Sequence, residues 1–283
     1  MKKEAGSFEP AFISGTPSQY VKIRSVVNNA PKNQRLAAYE GGEDIMRLDY
    51  AFWPDVEDYL KKDDRILIPT GSVEQHGPAV ATGIDYIIAE GVAERAAERL
   101  GVYAAPPLCY GMSLHHAAFP GTASLKPSAY LHLLTDLFDF LVRQGFKRVV
   151  AVNGHGGNVP TLKAAAAEVA YEHDGARILI QNWYDPPGVS ERIEEAFGSK
   201  EGSHVTPAEV SILMYLRPEL VGDVTQVKPT EPGLIKWQAG RRDIRDYYPQ
   251  GVVGSDPSLA SAELGKELLE LAVDGVAKAA ADL

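Results

Sequence analysis

The sequence predicts an α/β protein whose mainly parallel sheet is covered by helices on both faces. Two patterns carry this reading. Short apolar runs without polar alternation, Arg65-Ile-Leu-Ile-Pro-Thr70 and Lys147-Arg-Val-Val-Ala-Val152, mark strands buried on both sides. Segments of helical periodicity separate these runs, which is the order of βαβ units.

The elements follow along the chain. Residues 1–45 hold Gly, Pro, Asn and scattered charges without a sustained period, and read as an extension ahead of a domain over 46–283. Pro54–Leu60 reads as a short helix and Tyr86–Leu100 as a longer one. Val102–Leu108 is a second strand whose pairing Pro106 and Pro107 restrict, because proline donates no ladder hydrogen bond. Pro127 suits the first turn of a helix to Gln144, since its missing N–H is unpaired there anyway. A helix over Val159–His173, a strand over Arg177–Asn182, a helix opened by Pro207 and a C-terminal helix over Ser258–Ala281 complete the series. In such sheets, ligands bind beyond the carboxyl ends of the strands.

Composition removes several function classes. With 28 Lys and Arg against 38 Asp and Glu, the net charge of −10 argues against a nucleic-acid partner, which needs a basic face. A single cysteine, Cys109, cannot form an intramolecular disulfide and reads as a buried, inert thiol. No stretch has the apolar length of a membrane span, and MKKEAGSFEP lacks the apolar run of a secretory signal, so a cytoplasmic protein is expected. GxSxG, HExxH and CxxC motifs are absent.

Three clusters carry chemistry. The first, Gly71-Ser-Val-Glu74-Gln-His76-Gly-Pro78, follows the first strand, with Asp85 shortly after. In extended chain Glu74 and His76 share a face, and two carboxylates with an imidazole suit Zn or Mn; the alternative is a hydrogen-bonded polar loop. The second, Asn153-Gly-His155-Gly-Gly-Asn158, joins a strand to a helix. Its glycines permit close backbone approach, either to cradle a phosphate at the helix start or to present His155 to a metal. It matches neither nucleotide-loop pattern. The third, Ser203-His204-Val-Thr206-Pro-Ala-Glu209, is a capping box on its face, with His204 either a proton carrier or a surface residue. A weaker segment holds His115 and His116, of which at most one is expected to enter a site; His116 is a candidate substrate contact, as are Asn182 and Trp183, with Gln181 and Asp185 as further polar neighbours.

GSVEQHGP, then GIDY, FPGTASL, NGHGGN and SHVTPAEVS resemble the creatininase (creatinine amidohydrolase) family in order and spacing over roughly residues 46–275. The resemblance implies a three-layer α/β/α hydrolase, two divalent transition-metal ions of Zn, Mn or Fe type, and a homo-oligomer, usually a hexamer. It implies Glu74, His76, Asp85, His155 and Glu209 as metal ligands, with Asp85 bridging. His204 and Glu209 become the catalytic candidates, His204 for proton transfer. In creatininase itself a carboxylate follows two residues after the histidine matched by His155; Gly157 stands there in this chain, and Glu209 is the implied substitute. Ala79-Val80-Ala81 replaces a segment that often holds a histidine in the family, and residues 1–45 add to it. The implied reaction is attack of a metal-activated hydroxide on a carbonyl of a small polar, cyclic substrate, with C–N amide cleavage. Two alternatives stand beside it: C–C ring opening of a cyclic polyol ketone such as a 3-dehydro-scyllo-inosose, as in inositol breakdown, and a phosphate- or nucleotide-binding module using residues 153–158.

Overall fold

The structure, a computed structural model, describes residues 46–283 except Trp237. The predicted extension, 1–45, lies outside the described residues. Four parallel strands form the sheet: β1 (Arg65–Thr70), β2 (Tyr103–Ala104), β3 (Arg148–Asn153) and β4 (Arg177–Asn182), in the order β2-β1-β3-β4. In register, Thr70 stands beside Asn153 and Asn153 beside Asn182, so the three long strands end level. Ile66, Leu67 and Ile68 of β1 and Val149 to Val152 of β3 are fully buried, as strands covered on both faces must be.

The helices among the described residues are α1 (Trp53–Leu60), α2 (Ile84–Leu100), α3 (Pro127–Gln144), α4 (Val159–Glu172), α5 (Pro187–Phe197), α6 (Pro207–Leu216), α7 (Asp243–Tyr247) and α8 (Ala262–Ala281). The chain winds from β1 through α2 to β2 on one side, then through α3 and α4 to β3 and β4 on the other. Right-handed crossovers therefore put α2 on one face and the packed pair α3–α4 on the opposite face. α6 and α8 pack on α2 and on each other, and α5 on α8, completing the α/β/α layers. β1 and β3 flank the point where the winding reverses, the place where doubly wound sheets open a crevice.

Local chemistry explains most boundaries. Pro54, Pro127, Pro187 and Pro207 lie in the first turns of their helices, and Gly101 and Gly145 end α2 and α3 in left-handed conformation. The predicted second strand shrinks to two residues because Pro106 and Pro107 follow; Leu108 returns only as a single bridge to Thr70. Pro69 sits inside β1 for the same reason. Its carbonyl accepts from Leu108 N at 2.9 Å on the side where β2 has already ended, so its missing N–H leaves no ladder partner wanting. The C-terminal helix starts at Ala262, later than predicted, because Pro257–Leu259 forms a separate 3-10 turn and Ser261 Oγ accepts from Leu264 N as the cap. α5 and α7 were not expected, although Val189, Ile193 and Phe197 repeat every four residues along α5. Cys109 is half-buried, its thiol pushed up by burial, consistent with an inert group.

Candidate metal centre and its cavity

A cavity of about 440 Å³ opens beyond the carboxyl ends of β1 and β3. Glu74, His76, Asp85, His116, His155, Trp183, His204 and Glu209, drawn from five separate stretches of chain, all line it. Among the described residues no Lys or Arg does.

Tight backbone packing brings these groups together. A Cβ at Gly71 would overlap the backbone of Tyr86 and lie 2.7 Å from the carbonyl carbon of Asp85, so the loop after β1 sits directly on the first turn of α2. Asp85, in that turn, is placed where a helix favours a carboxylate, and Ser72 Oγ donates to its Oδ2 at 2.8 Å. The glycines of the second cluster serve the same end. A Cβ at Gly154 would overlap the Asp85 carbonyl oxygen; one at Gly157 would overlap the His155 ring and stand 2.6 Å from Met112 O. None of the three has positive φ, so they are required for close approach within the protein rather than for an unusual turn. No side chain fits at 157 with His155 where it stands, and any carboxylate must therefore come from elsewhere.

Hydrogen bonds fix which nitrogen of each histidine carries the proton. His155 Nε2 lies 3.0 Å from Met112 O and donates to it, leaving the Nδ1 lone pair 3.3 Å from Glu74 Oε1 and 3.2 Å from Asp85 Oδ2. His76 Nδ1 donates to the Glu74 carbonyl oxygen at 3.1 Å, leaving Nε2 3.2 Å from Asp85 Oδ1 and 3.9 Å from Glu209 Oε1. Two imidazole lone pairs thus face three carboxylates, all but the half-buried Glu209 at nearly full burial, an arrangement that repels itself unless cations lie between. His76 Nε2 and Glu74 Oε2 are buried without a hydrogen bond. The donor set therefore fits divalent metal: a nitrogen and oxygens at one point, and each imidazole held by a backbone carbonyl on its other nitrogen.

The same conflict appears in the proton affinities. Burial opposes charge on His76, but Asp85, then Glu209 and Glu74, hold its pKa up at about 9. His155 is likewise raised well above the usual value, against burial, by Glu74 and Asp85. Glu209 is pushed up to about 8 by burial, with His76 opposing.

Three overlapping groups have ligand atoms within 4.8 Å of one another: Glu74, His76 and His204; Glu74, His115 and His155; and His76, Asp85 and Glu209. Asp85 joins the last two, with Oδ1 toward His76 and Oδ2 toward His155. Glu209 is a helix cap that also faces His76. Its Oε1 accepts from Thr206 N at 2.5 Å while Thr206 Oγ1 accepts from Glu209 N at 3.2 Å, a complete capping box, and the same Oε1 is the atom nearest His76.

His204 is buried, not a surface histidine. The Gln75 amide nitrogen lies 2.9 Å from Gly251 O, 3.0 Å from His116 Nδ1 and 2.9 Å from His204 Nε2, three neighbours for two hydrogens. The Gln75 backbone oxygen, 2.8 Å from His204 Nε2, can only accept, so His204 donates there, the amide hydrogens go to Gly251 O and His116 Nδ1, and the His204 Nδ1 lone pair faces Glu74 Oε1 at 3.5 Å. Burial first, then the charge of His76, lowers its pKa to about 3, so the ring is neutral. Val205 holds a left-handed φ of 57°, rare for a β-branched residue, and Ser255 Oγ pins the carbonyl of His204 at 2.8 Å.

Of the three candidate substrate contacts, Trp183 and His116 line the cavity; Asn182 does not, its amide being bound between Asn153 Nδ2 and Asp185 Oδ2. His115 and His116 both line it, contrary to expectation: they sit in a 3-10 turn over Leu114–His116, with rings 4.3 Å apart. Tyr184, Glu201, Ile244 and Val253 also line the cavity. Tyr184 adjoins a predicted candidate, but the other three carry no sequence signal beyond residue type. A phosphate on the 153–158 loop would meet Glu74 and Asp85 beside His155, an unfavourable setting for an anion.

Known proteins resemble this chain in sequence and in fold. Residues 49–280 match the model of the family Creatininase: Creatinine amidohydrolase. The 3-dehydro-scyllo-inosose hydrolase of Thermotoga maritima is 31% identical over 257 residues, covering 81% of this chain and 80% of its own. The mycofactocin precursor peptide peptidase of Mycolicibacterium smegmatis is 33% identical over 220 residues, covering 75% and 82%. Solved structures of creatininase, its Mn form and a Zn-Zn form of a mutant, superpose with TM-scores of 0.73 and 0.74 at 26% and 25% identity, covering 83% of this chain and 96% of theirs.

Proposed function

The chain is a hydrolase of the creatininase family, and on that premise we propose that it cleaves a carbonyl–nitrogen bond of a small polar substrate at a dinuclear metal centre. The observation that carries this reading is Asp85, whose two oxygens address two separate imidazole lone pairs. Glu74, Asp85 and His155 would hold one divalent ion; His76, Asp85 and Glu209 would hold the other. Zn and Mn both suit these ligands and occur in the creatininase structures; Fe suits the donor types equally. When bound, such a pair lowers the pKa of water toward neutrality and polarises a carbonyl oxygen.

The chain's own residues supply the rest. His204, neutral and with Nδ1 turned inward, accepts the proton that the attacking water loses and returns it to the departing nitrogen. Gln75 fixes the tautomers of His204 and His116 together, so both rings present a defined face to the substrate. Trp183, Tyr184 and Ile244 provide apolar walls that limit water.

A second reading is C–C ring opening of a cyclic polyol ketone, favoured by the similarity to the inosose hydrolase. The test is incubation of the metal-loaded protein with lactams, cyclic ureas, small amides and inososes, following products by mass. Addition of one water with release of an amine supports the first reading. Ring opening of inososes alone favours the second, and no turnover of any member by metal-loaded protein refutes both.

A further inference from the structure

Beside the metal cavity lies a second pocket, of about 530 Å³, lined by Ala118, Arg241, Arg242 and Arg245. Three guanidinium groups within five residues stand out in a chain of net charge −10, with Asp243 and Asp246 set among them. Arg242 reaches Asp246 Oδ1 at only 3.4 Å, with both side chains exposed. Arg245 donates to the Ala118 carbonyl at 2.6 Å and lies over the Phe119 ring at 5.4 Å, which positions it without neutralising it. Asp243 turns its Oδ2 to Gly240 N at 2.8 Å. Among the described residues Arg241 lines the pocket with no ion pair.

The helix that carries Arg245 also reaches the metal cavity. Ile244, between Arg242 and Arg245, lines the metal cavity, and α7 packs on the Leu114–His116 turn that brings His115 and His116 into that cavity. A substrate long enough to extend from the metal centre beyond Ile244 would meet the arginines on or just before the same short helix. We propose that this cluster is an anion subsite, so that the substrate carries a carboxylate or phosphate group away from its scissile bond; the proposal rests on the hydrolase reading above. Planar forked guanidinium donors match the oxygen spacing of either group, and local positive charge there offsets the repulsion an anion meets from the acidic molecule. A neutral polyol ketone has no use for such a subsite, whereas an amide with a free carboxylate does.

Phenylglyoxal labelling of the full-length, metal-loaded protein, mapped residue by residue by mass spectrometry, tests this without turnover. Inorganic phosphate and succinamate serve as phosphate and carboxylate probes. Protection of Arg241, Arg242 and Arg245 of at least tenfold by either is expected, with labelling of the distant Arg143 unchanged; which probe protects identifies the anion. Arg241→Gln should raise the half-protecting concentration at Arg245 at least tenfold. Equal labelling with and without both probes overturns the proposal, and an unchanged half-protecting concentration in Arg241→Gln overturns the cluster as drawn. Unprotected arginines in an active enzyme defeat the subsite alone; protein that takes up no metal and turns nothing over defeats the hydrolase reading, while the labelling still decides the subsite.

Discussion

Glu209 is both a helix cap and a proposed metal ligand, and two substitutions separate the roles. Glu209→Ala removes the acceptor for Thr206 N, a bond of 2.5 Å at a half-buried helix start. The loss should cost the metal-free protein about 1–2 kcal/mol. In a domain of this size that lowers Tm by roughly 2–8 °C. Glu209→Gln keeps an acceptor at the same position of the capping box and removes only the charge, so its metal-free Tm should stay within roughly 2 °C of wild type. Both variants lose one of three side chains from the His76–Asp85–Glu209 group and should hold about one ion fewer per chain. If that ion stabilises the native state at about 100 times its Kd, about 2.7 kcal/mol disappears from the loaded protein as well. Differential scanning calorimetry with and without chelator, beside elemental analysis, reads all of this. Full metal content and activity in Glu209→Gln would reduce Glu209 to a cap, and an equal drop of the metal-free Tm in both variants would refute the capping argument.

Three further outcomes are expected. Gly157→Ala places a Cβ against the His155 ring and 2.6 Å from Met112 O, so it should destabilise the fold by about 1–3 kcal/mol and deplete metal; wild-type metal content in a folded variant contradicts the close-approach argument. His204→Ala should keep metal content and lower kcat by about 10²–10⁴-fold, whereas loss of metal would make His204 a ligand. Asp63 accepts from Arg65 at 2.5 Å and Arg148 at 3.1 Å, joining the starts of β1 and β3, and these bonds, led by Arg65 and opposed by burial, hold its pKa below the ordinary 3.8. Its contribution, about 1 kcal/mol, is therefore complete above pH 3.8 and is lost as pH falls through the lower folded value. Asp63→Asn should lower stability near neutrality and flatten the acid limb of the unfolding curve; an acid limb as steep as wild type refutes the linkage.

Much of this architecture is legible in the sequence because it is written locally. The strand runs of β1, β3 and β4 are apolar on both faces, and the prolines at 127 and 207 name helix starts. β2 is not legible in length, since two prolines decide where pairing stops and the neighbouring loop decides what replaces it. The five proposed ligands stand in three recognisable clusters, and the structure brings all of them to one cavity. What the sequence hides is the second half of that cavity. Ile244 sits on the five-residue α7 and Val253 in a loop, neither marked by periodicity, and Glu201 looks like any surface glutamate. Asn182 is the reverse case: it stands at a strand end, but its amide is bound by Asn153 and Asp185, a pairing that only the level ends of β3 and β4 reveal. His115 and His116 share the site because a 3-10 turn splays adjacent side chains less than extended chain would.

The central claim is that Asp85 joins two metal-binding groups, and metal content tests it most directly. Protein purified without chelator and analysed by elemental mass spectrometry should hold about two transition-metal ions per chain, falling to about one or fewer in Asp85→Ala. A wild-type value of one ion would contradict the shared carboxylate, and none after reconstitution with Zn or Mn would contradict the metal centre itself.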